Sequence, residues 1–226
     1  MAVQAGNRTY ADAADLPGTV PVFPLSCALL LPSGQMPLNI FEPRYLAMID
    51  DALKGERVVG MIQPDPEGGG TEAAPKLYDV GCAGRITQFA ETGDGRYLIS
   101  LTGISRFRVD EELATATPYR RCRVSYEDFG ADFLARAGEN EVDRASVIGT
   151  LRDFVKANDL KVDWRAIERA PNEALVNALS MMSPFGPREK QALLEAPDLK
   201  TRAEVLVAIT EIELARGGGD AEPTLQ

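Results

Sequence analysis

The 226 residues of this chain suffice for one large domain or two small ones, and 45% hydrophobic with 26% charged residues is a globular composition. The formal net charge of −10 disfavours nucleic acids and anionic membranes as partners, because both require a basic surface. No apolar run reaches the roughly 18 residues that a membrane-spanning helix needs. Residues 1–17 carry both signs of charge and no apolar stretch, so they are predicted to be a disordered lead-in and not a secretory signal.

The chain contains no histidine, which removes the commonest general base and the commonest metal ligand. Its three cysteines, Cys27, Cys82 and Cys122, fit no metal-binding spacing, and their odd number leaves one unpaired in any disulfide scheme. Each lies in an apolar or alternating segment, which is typical of small buried hydrophobic residues. We therefore expect a cytoplasmic protein with no catalytic residues, no bound metal and no cofactor.

The first structured segment is predicted to be a hairpin that leads into a helix. An apolar strand ends at Pro32, a turn follows, and a second strand covers residues 36–41. Pro43 is predicted to begin a helix, because a proline in the first turn sacrifices no hydrogen bond, and Gly55 is predicted to end it.

Further strands are predicted to complete a β-rich part over residues 18–127. They are short apolar runs or period-two alternations at residues 57–62, 80–89, 96–101, 107–109 and 121–126. Between them, residues 63–76 hold too much proline and glycine for regular structure and are predicted to be a mobile surface loop. Strands at this spacing favour a small, curved or barrel-like sheet.

Beyond residue 127 the apolar period changes to 3.6 residues, which predicts a helical part over residues 128–216. Helices are expected over residues 140–158, from Asp163, from Pro171, over residues 187–195 and from Asp198. The three glycines at 217–219 are predicted to end the last helix and to begin a disordered tail over residues 217–226. A strand-rich part followed by a helical part is the pattern of the α+β class.

Four segments resemble parts of the substrate-binding N-terminal domain of Lon proteases. They are residues 36–45 (MPLNIFEPRY), 81–86 (GCAGRI), 101–109 (LTGISRFRV) and 188–195 (REKQALLE). Their order and spacing carry the resemblance, which extends over most of residues 18–214. It implies a small PUA-like β-barrel with one inserted helix, followed by a C-terminal helical bundle.

The resemblance implies a non-enzymatic, bacterial-type module related to proteolysis, which binds exposed apolar or unfolded polypeptide. The phosphate-binding motif GxxxxGK[ST] is absent, so a free-standing member without ATPase or protease domains is expected. One alternative is an adaptor or regulator that binds one specific folded partner, such as a protease or chaperone component, through the acidic helical part. Another is RNA binding, which follows only by analogy with PUA-like folds and is disfavoured by the negative charge.

The candidate polypeptide-binding residues are all apolar. A strand buried on one face must expose at least one of three consecutive leucines, and methionines add an adaptable lining. The set comprises Leu29, Leu30, Leu31, Met36, Met61, Met181 and Met182. For each residue the alternative is ordinary core packing, and if all three leucines are buried the binding face lies elsewhere.

Overall fold

The computed structural model describes residues 2–71 and 74–219. Its strands are β1 (Val3–Ala5), β2 (Arg8–Tyr10), β3 (Thr19–Pro24), β4 (Gln35–Ile40), β5 (Val58–Ile62), β6 (Gly70–Thr71), β7 (Ala74–Pro75), β8 (Val80–Glu91), β9 (Tyr97–Leu113) and β10 (Arg121–Ser125). Its helices are α1 (Pro43–Lys54), α2 (Arg144–Ala157), α3 (Trp164–Arg169), α4 (Asn172–Met182), α5 (Pro187–Glu195) and α6 (Leu199–Gly219). The predicted α+β class, with helices following the sheet, is confirmed.

Five strands close into a small barrel. The strand order is β10-β3-β5-β8-β9, and the second half of β9 pairs with β10 to complete the ring. Only the β3–β5 pair is parallel, because the chain passes through β4 and α1 between these two strands. The interior is filled by inward-facing side chains with almost no exposure, among them Val20, Ile104 and Phe107. The barrel is therefore a packed core and encloses no ligand channel.

Strand β4 lies outside the closed ring and pairs with the first half of β9, and its other edge has no partner strand among the described residues. The carbonyl of Gly34 accepts a hydrogen bond from the Gly103 N–H at 2.9 Å. Main-chain groups alternate in direction along a strand, so those of Gln35, Pro37 and Asn39 point to the free edge. Pro37 therefore costs the sheet no hydrogen bond, as expected for a proline in an edge strand.

The predicted apolar strand up to Pro32 is wrong, because β3 already ends at Pro24. Residues 25–34 follow an irregular path, with positive φ angles of 61° at Cys27 and 63° at Ser33 that no strand contains. The sequence pattern alone could not show this, since a continuous apolar run fits any segment covered on all sides.

The N-terminal lead-in, predicted to be disordered over residues 1–17, is ordered from residue 2. Strands β1 and β2 form a hairpin around Gly6, whose φ of 61° suits the turn. Tyr10 is fully buried among the barrel residues, and its hydroxyl accepts a hydrogen bond from Arg85 at 3.3 Å. Burial of this tyrosine and of Val3 stabilises strands that are too short to show a period in the sequence.

The predicted loop at residues 63–76 contains a minimal hairpin, in which the two-residue strands β6 and β7 pair. Helices occur at all the predicted places, and α5 has the predicted bounds. Asp163 caps α3 through two main-chain N–H groups, and Asp198 accepts from the Thr201 N–H at 2.7 Å. Helix α6 continues to Gly219, beyond the predicted stop at residue 217. The predicted tail over residues 220–226 lies outside the described residues.

A second buried hydrophobic cluster, separate from the barrel interior, joins the sheet to the helices. Its buried members include Leu101 of β9, Ile49 of α1, Val176 of α4 and Leu206 of α6. The predicted boundary near residue 127 therefore separates strand-forming from helix-forming sequence, while the packing is continuous across it.

Candidate functional site

An open groove of about 490 Å³ lies between the barrel and the helical part. Residues 33–37, from the turn before β4 and the start of that strand, form one wall. Helix α4 and the preceding Pro171 form the other wall, and Arg136 lies at one end. We call this feature the α4 groove. It is a concave surface feature that is partly open to solvent.

Three of the predicted methionines line the α4 groove. Met182 is 82% exposed, the most exposed large hydrophobic side chain of the described residues, and Met36 and Met181 are half-buried. A Cβ atom at Gly34 would lie 2.5 Å from the Met181 sulfur, so this glycine lets the thioether pack onto the turn. Thioether chains are flexible and polarizable, which suits ligands of varied shape.

The exposed stripe of α4 is apolar as well. Ala174, Ala178 and Met182 recur every four residues, all three are exposed, and all three line the groove. Residues at this spacing lie on one face of a helix, a position that polar side chains usually occupy when it meets solvent. The two alanines leave the helix surface shallow, so another chain can approach its backbone closely.

The other predicted residues lie in the core. Leu29, Leu30 and Leu31 are at most 2% exposed, so the expectation that one of them is exposed is wrong. They are covered on both sides: the barrel strand β9 approaches through Gly103, and the Asn177 side chain donates to the Pro32 carbonyl at 2.9 Å. Met61 in β5 is also buried, with 2% exposure. The candidate face is therefore the α4 groove and does not include these four residues.

A carboxylate lies among the apolar groups of the groove. Glu173 accepts hydrogen bonds from the Ser33 hydroxyl at 3.3 Å and from the Arg136 N–H at 2.9 Å. Burial raises the pKa of Glu173, and the negative charge of Glu139 raises it further, while the two donors act in the opposite direction. Sequence reasoning missed these residues, because Ser33 and Glu173 are 140 positions apart and neither belongs to a motif.

The base of the groove is tied to both halves of the fold. Asn177, which is 3% exposed, donates to the Pro32 carbonyl, and its own carbonyl accepts from Arg202 at 3.1 Å. Arg202 also donates to the Leu193 carbonyl at 2.9 Å. Burial lowers the pKa of Arg202 to about 10. Satisfied buried networks of this kind rigidify the surface above them.

Lys190 stabilises the end of α4 that carries the exposed methionine. Its buried ammonium donates to the carbonyls of Ser180 and Met181 at 2.9 and 2.7 Å. Carbonyls in the last turn of a helix have no partners within the helix, and a cation there also complements the helix dipole. Burial lowers the pKa of Lys190 to about 8. The REKQALLE segment thus supplies the residue that fixes one end of the groove.

The cysteines and the possible metal ligands form no cluster in the described part of the chain. Cys82 and Cys122 are buried as predicted, whereas Cys27 is exposed, contrary to expectation. Burial raises the pKa of the Cys122 thiol to about 11, so it is protonated at neutral pH. Within residues 2–71 and 74–219, no three side chains of the metal-binding types come together, and no helix is both long and apolar enough to cross a bilayer.

Two solved structures show the same fold. The Lon N-terminal domain protein from Xanthomonas campestris superposes with a TM-score of 0.59 and 22% identity, covering 84% of this chain and 97% of that one. The N-terminal domain of the Mycobacterium avium complex Lon protease gives a TM-score of 0.62 and 18% identity, covering 85% and 98%.

Sequence relatives are Lon proteases. Lon protease 2 of Myxococcus xanthus is 27% identical over 204 residues, which cover 86% of this chain and 24% of the relative. The Lon protease of Anaeromyxobacter dehalogenans is 30% identical over 124 residues, covering 55% of this chain and 15% of the relative. The chain thus spans a quarter or less of these curated relatives.

A family model covers most of the chain. The model of the ATP-dependent protease La (LON) substrate-binding domain matches residues 19–211, from the first strand of the barrel to the second half of α6. This match includes every element that forms the α4 groove. The chain therefore belongs to the LON substrate-binding domain family.

Proposed function

We propose that this chain is a polypeptide-binding module that recognises exposed apolar or unfolded segments in the α4 groove. Family membership makes polypeptide binding the natural role of the fold. The observation that carries the assignment to this surface is the convergence of Met36, Met181 and Met182 on one open groove.

The groove suits a ligand of variable sequence. Its walls are mostly apolar, its methionines adapt to different shapes, and its base is held by the Asn177 and Arg202 network. It is partly open to solvent, unlike the fully desolvated pockets that give tight binding to one particular side chain. We therefore expect weak, broad binding, in which the free energy comes mainly from burial of apolar surface.

The test is a fluorescence anisotropy titration with labelled α-lactalbumin that has been reduced and carboxymethylated. This ligand is unfolded, and the native form of the same protein is the matched control. The expected result is saturable micromolar binding of the unfolded form and none of the native form. Absence of binding to the unfolded form at high micromolar concentration would contradict the proposal.

Met182→Ala localises the binding. Burial of part of a methionine side chain contributes on the order of 1 kcal/mol, so the dissociation constant should rise about fivefold. The matched control is Ile212→Ala on α6, which truncates an exposed apolar side chain outside the groove and should leave binding unchanged. Equal effects of both substitutions would place the binding surface elsewhere.

A further inference from the structure

This inference rests on the proposed function and concerns the charge of the bound segment. Glu173 lines the α4 groove, and among the described residues it forms no ion pair with a lysine or arginine. Its hydrogen-bond donors, the Ser33 hydroxyl and the main-chain N–H of Arg136, are both neutral. A carboxylate offers about four lone-pair directions, so two donors leave it able to accept more.

No neighbouring cation in the described residues lies close enough to form an ion pair with this carboxylate. The Arg136 guanidinium is paired with Glu139, which also accepts from the Glu173 N–H at 2.9 Å. The buried Arg202 donates to Asn177 and to the Leu193 carbonyl, and its charge favours ionised Glu173 only from beyond ion-pair distance. The first turn of α4 supplies only a partial positive charge, equivalent to about half an elementary charge. The Glu173 carboxylate is therefore available to a further cation beside the methionines.

We propose that Glu173 receives a lysine or arginine side chain of the bound polypeptide, so that the α4 groove prefers apolar segments that contain a basic residue. The aliphatic stem of such a side chain would pack on the apolar wall while its charged end reaches the carboxylate. Because burial raises the pKa of Glu173, its ionised form lacks stabilisation that a cation supplies. The net charge of −10 adds long-range attraction for a basic segment.

The test uses three labelled peptides of one apolar sequence that differ only at the central residue, which is lysine, norleucine or glutamate. Norleucine keeps the aliphatic stem without the charge. The lysine peptide is expected to bind on the order of fivefold more tightly than the norleucine peptide, as for a favourable, partly exposed ion pair. The glutamate peptide is expected to bind most weakly.

Two variants test whether Glu173 causes the preference for the lysine peptide. Glu173→Gln should remove the difference between the lysine and norleucine peptides. Glu211→Gln removes the same charge from an exposed position on α6 outside the groove, so it should leave the difference intact. Equal affinities of the three peptides for the unsubstituted protein, or a lysine preference that survives Glu173→Gln, would overturn this inference alone. Failure of all three peptides and of unfolded α-lactalbumin to bind would overturn the proposed function itself.

A second measurement needs no variant and so does not depend on the folding of Glu173→Gln. A carbodiimide joins the peptide lysine amine to a protein carboxylate in contact with it, forming an amide while the reagent takes up the elements of water. Mass spectrometry of the conjugate should place the main cross-link on Glu173. Cross-links distributed over the exposed carboxylates of the helices would refute the assigned contact.

Discussion

At the scale of single residues, one buried ion pair joins the barrel to the helices. Arg106 of β9 pairs with Asp132 at 2.8 Å, and both side chains are less than 10% exposed. The same guanidinium donates to the carbonyl of Leu194, near the end of α5, and to that of Ala196, in the connection between α5 and α6. Its donors are thus satisfied by two segments of the chain, which is the condition under which a buried charge is tolerated.

Asp132→Ala leaves the Arg106 charge buried without its partner, so it should lower the free energy of unfolding by about 3–5 kcal/mol. Arg108, two residues further along the same strand, pairs with Asp128 at 2.8 Å, but both of these side chains are at least half exposed. Asp128→Ala should therefore cost about 1 kcal/mol or less. Urea denaturation of both variants measures the difference, and similar losses would show that Asp132 does not hold the junction.

At the scale of elements, the irregular segment formed by residues 25–34 packs closely against β9. The Ser33 N–H donates to the Gly103 carbonyl at 3.0 Å, and the Gly103 N–H donates to Gly34. A Cβ atom at Gly103 would lie 2.1 Å from the Leu31 carbonyl oxygen, which is part of the main chain and cannot rotate away. Position 103 thus accepts only glycine while this segment keeps its path.

Gly103→Ala is expected to destabilise the protein by roughly 2–3 kcal/mol or more, because the segment of residues 25–34 must move and its buried hydrogen bonds are strained. Gly149→Ala is the matched control, which is expected to stabilise the protein. Gly149 lies within α2 with open space around its Cβ position, and alanine favours a helix over glycine by about 1 kcal/mol. Thermal or urea unfolding compares the two, and a neutral Gly103→Ala would contradict the close approach.

Elements with local signals could be predicted from the sequence. Pro43 and Pro187 begin helices, and Asp163 caps one, because the geometry of a helix start involves only a few consecutive residues. The β1–β2 hairpin could not be predicted, since Tyr10 is ordered by a barrel whose strands lie far along the chain. The predicted exposure of a leucine at residues 29–31 was wrong for the same reason, because the elements that bury these side chains, β9 and α4, are distant in the sequence.

At the scale of the whole molecule, the buried cluster shared by the sheet and the helices predicts that the two halves unfold together. Trp164 on α3 reports the helical part by fluorescence, and the buried Cys82 and Cys122 report the barrel by thiol reactivity. In a Cys27→Ser background, which removes the exposed thiol, both probes should give the same urea midpoint. A lower midpoint for the tryptophan would show that the helices unfold independently.

The groove also belongs to this scale, because it exists only where the two halves meet. Met36, Met181 and Met182 could be named from the sequence, since their chemical type suits varied apolar ligands. The place of Glu173 in the groove could not be predicted, because it depends on contact between α4 and a turn 140 residues away. Sequence pattern identifies residue types, whereas the meeting of distant residues requires the folded chain.

Pro37 gives the free edge of β4 a further property. An unpaired strand edge invites other extended chains to add hydrogen bonds, and repeated addition leads to insoluble assemblies. Three residues of β4 direct main-chain groups outward, and the central one has no N–H to offer. An extended chain that paired with this edge would lack a main-chain hydrogen bond at the middle of the strand. Pro37 thereby keeps the edge of β4 from serving as a template on which extended chains aggregate.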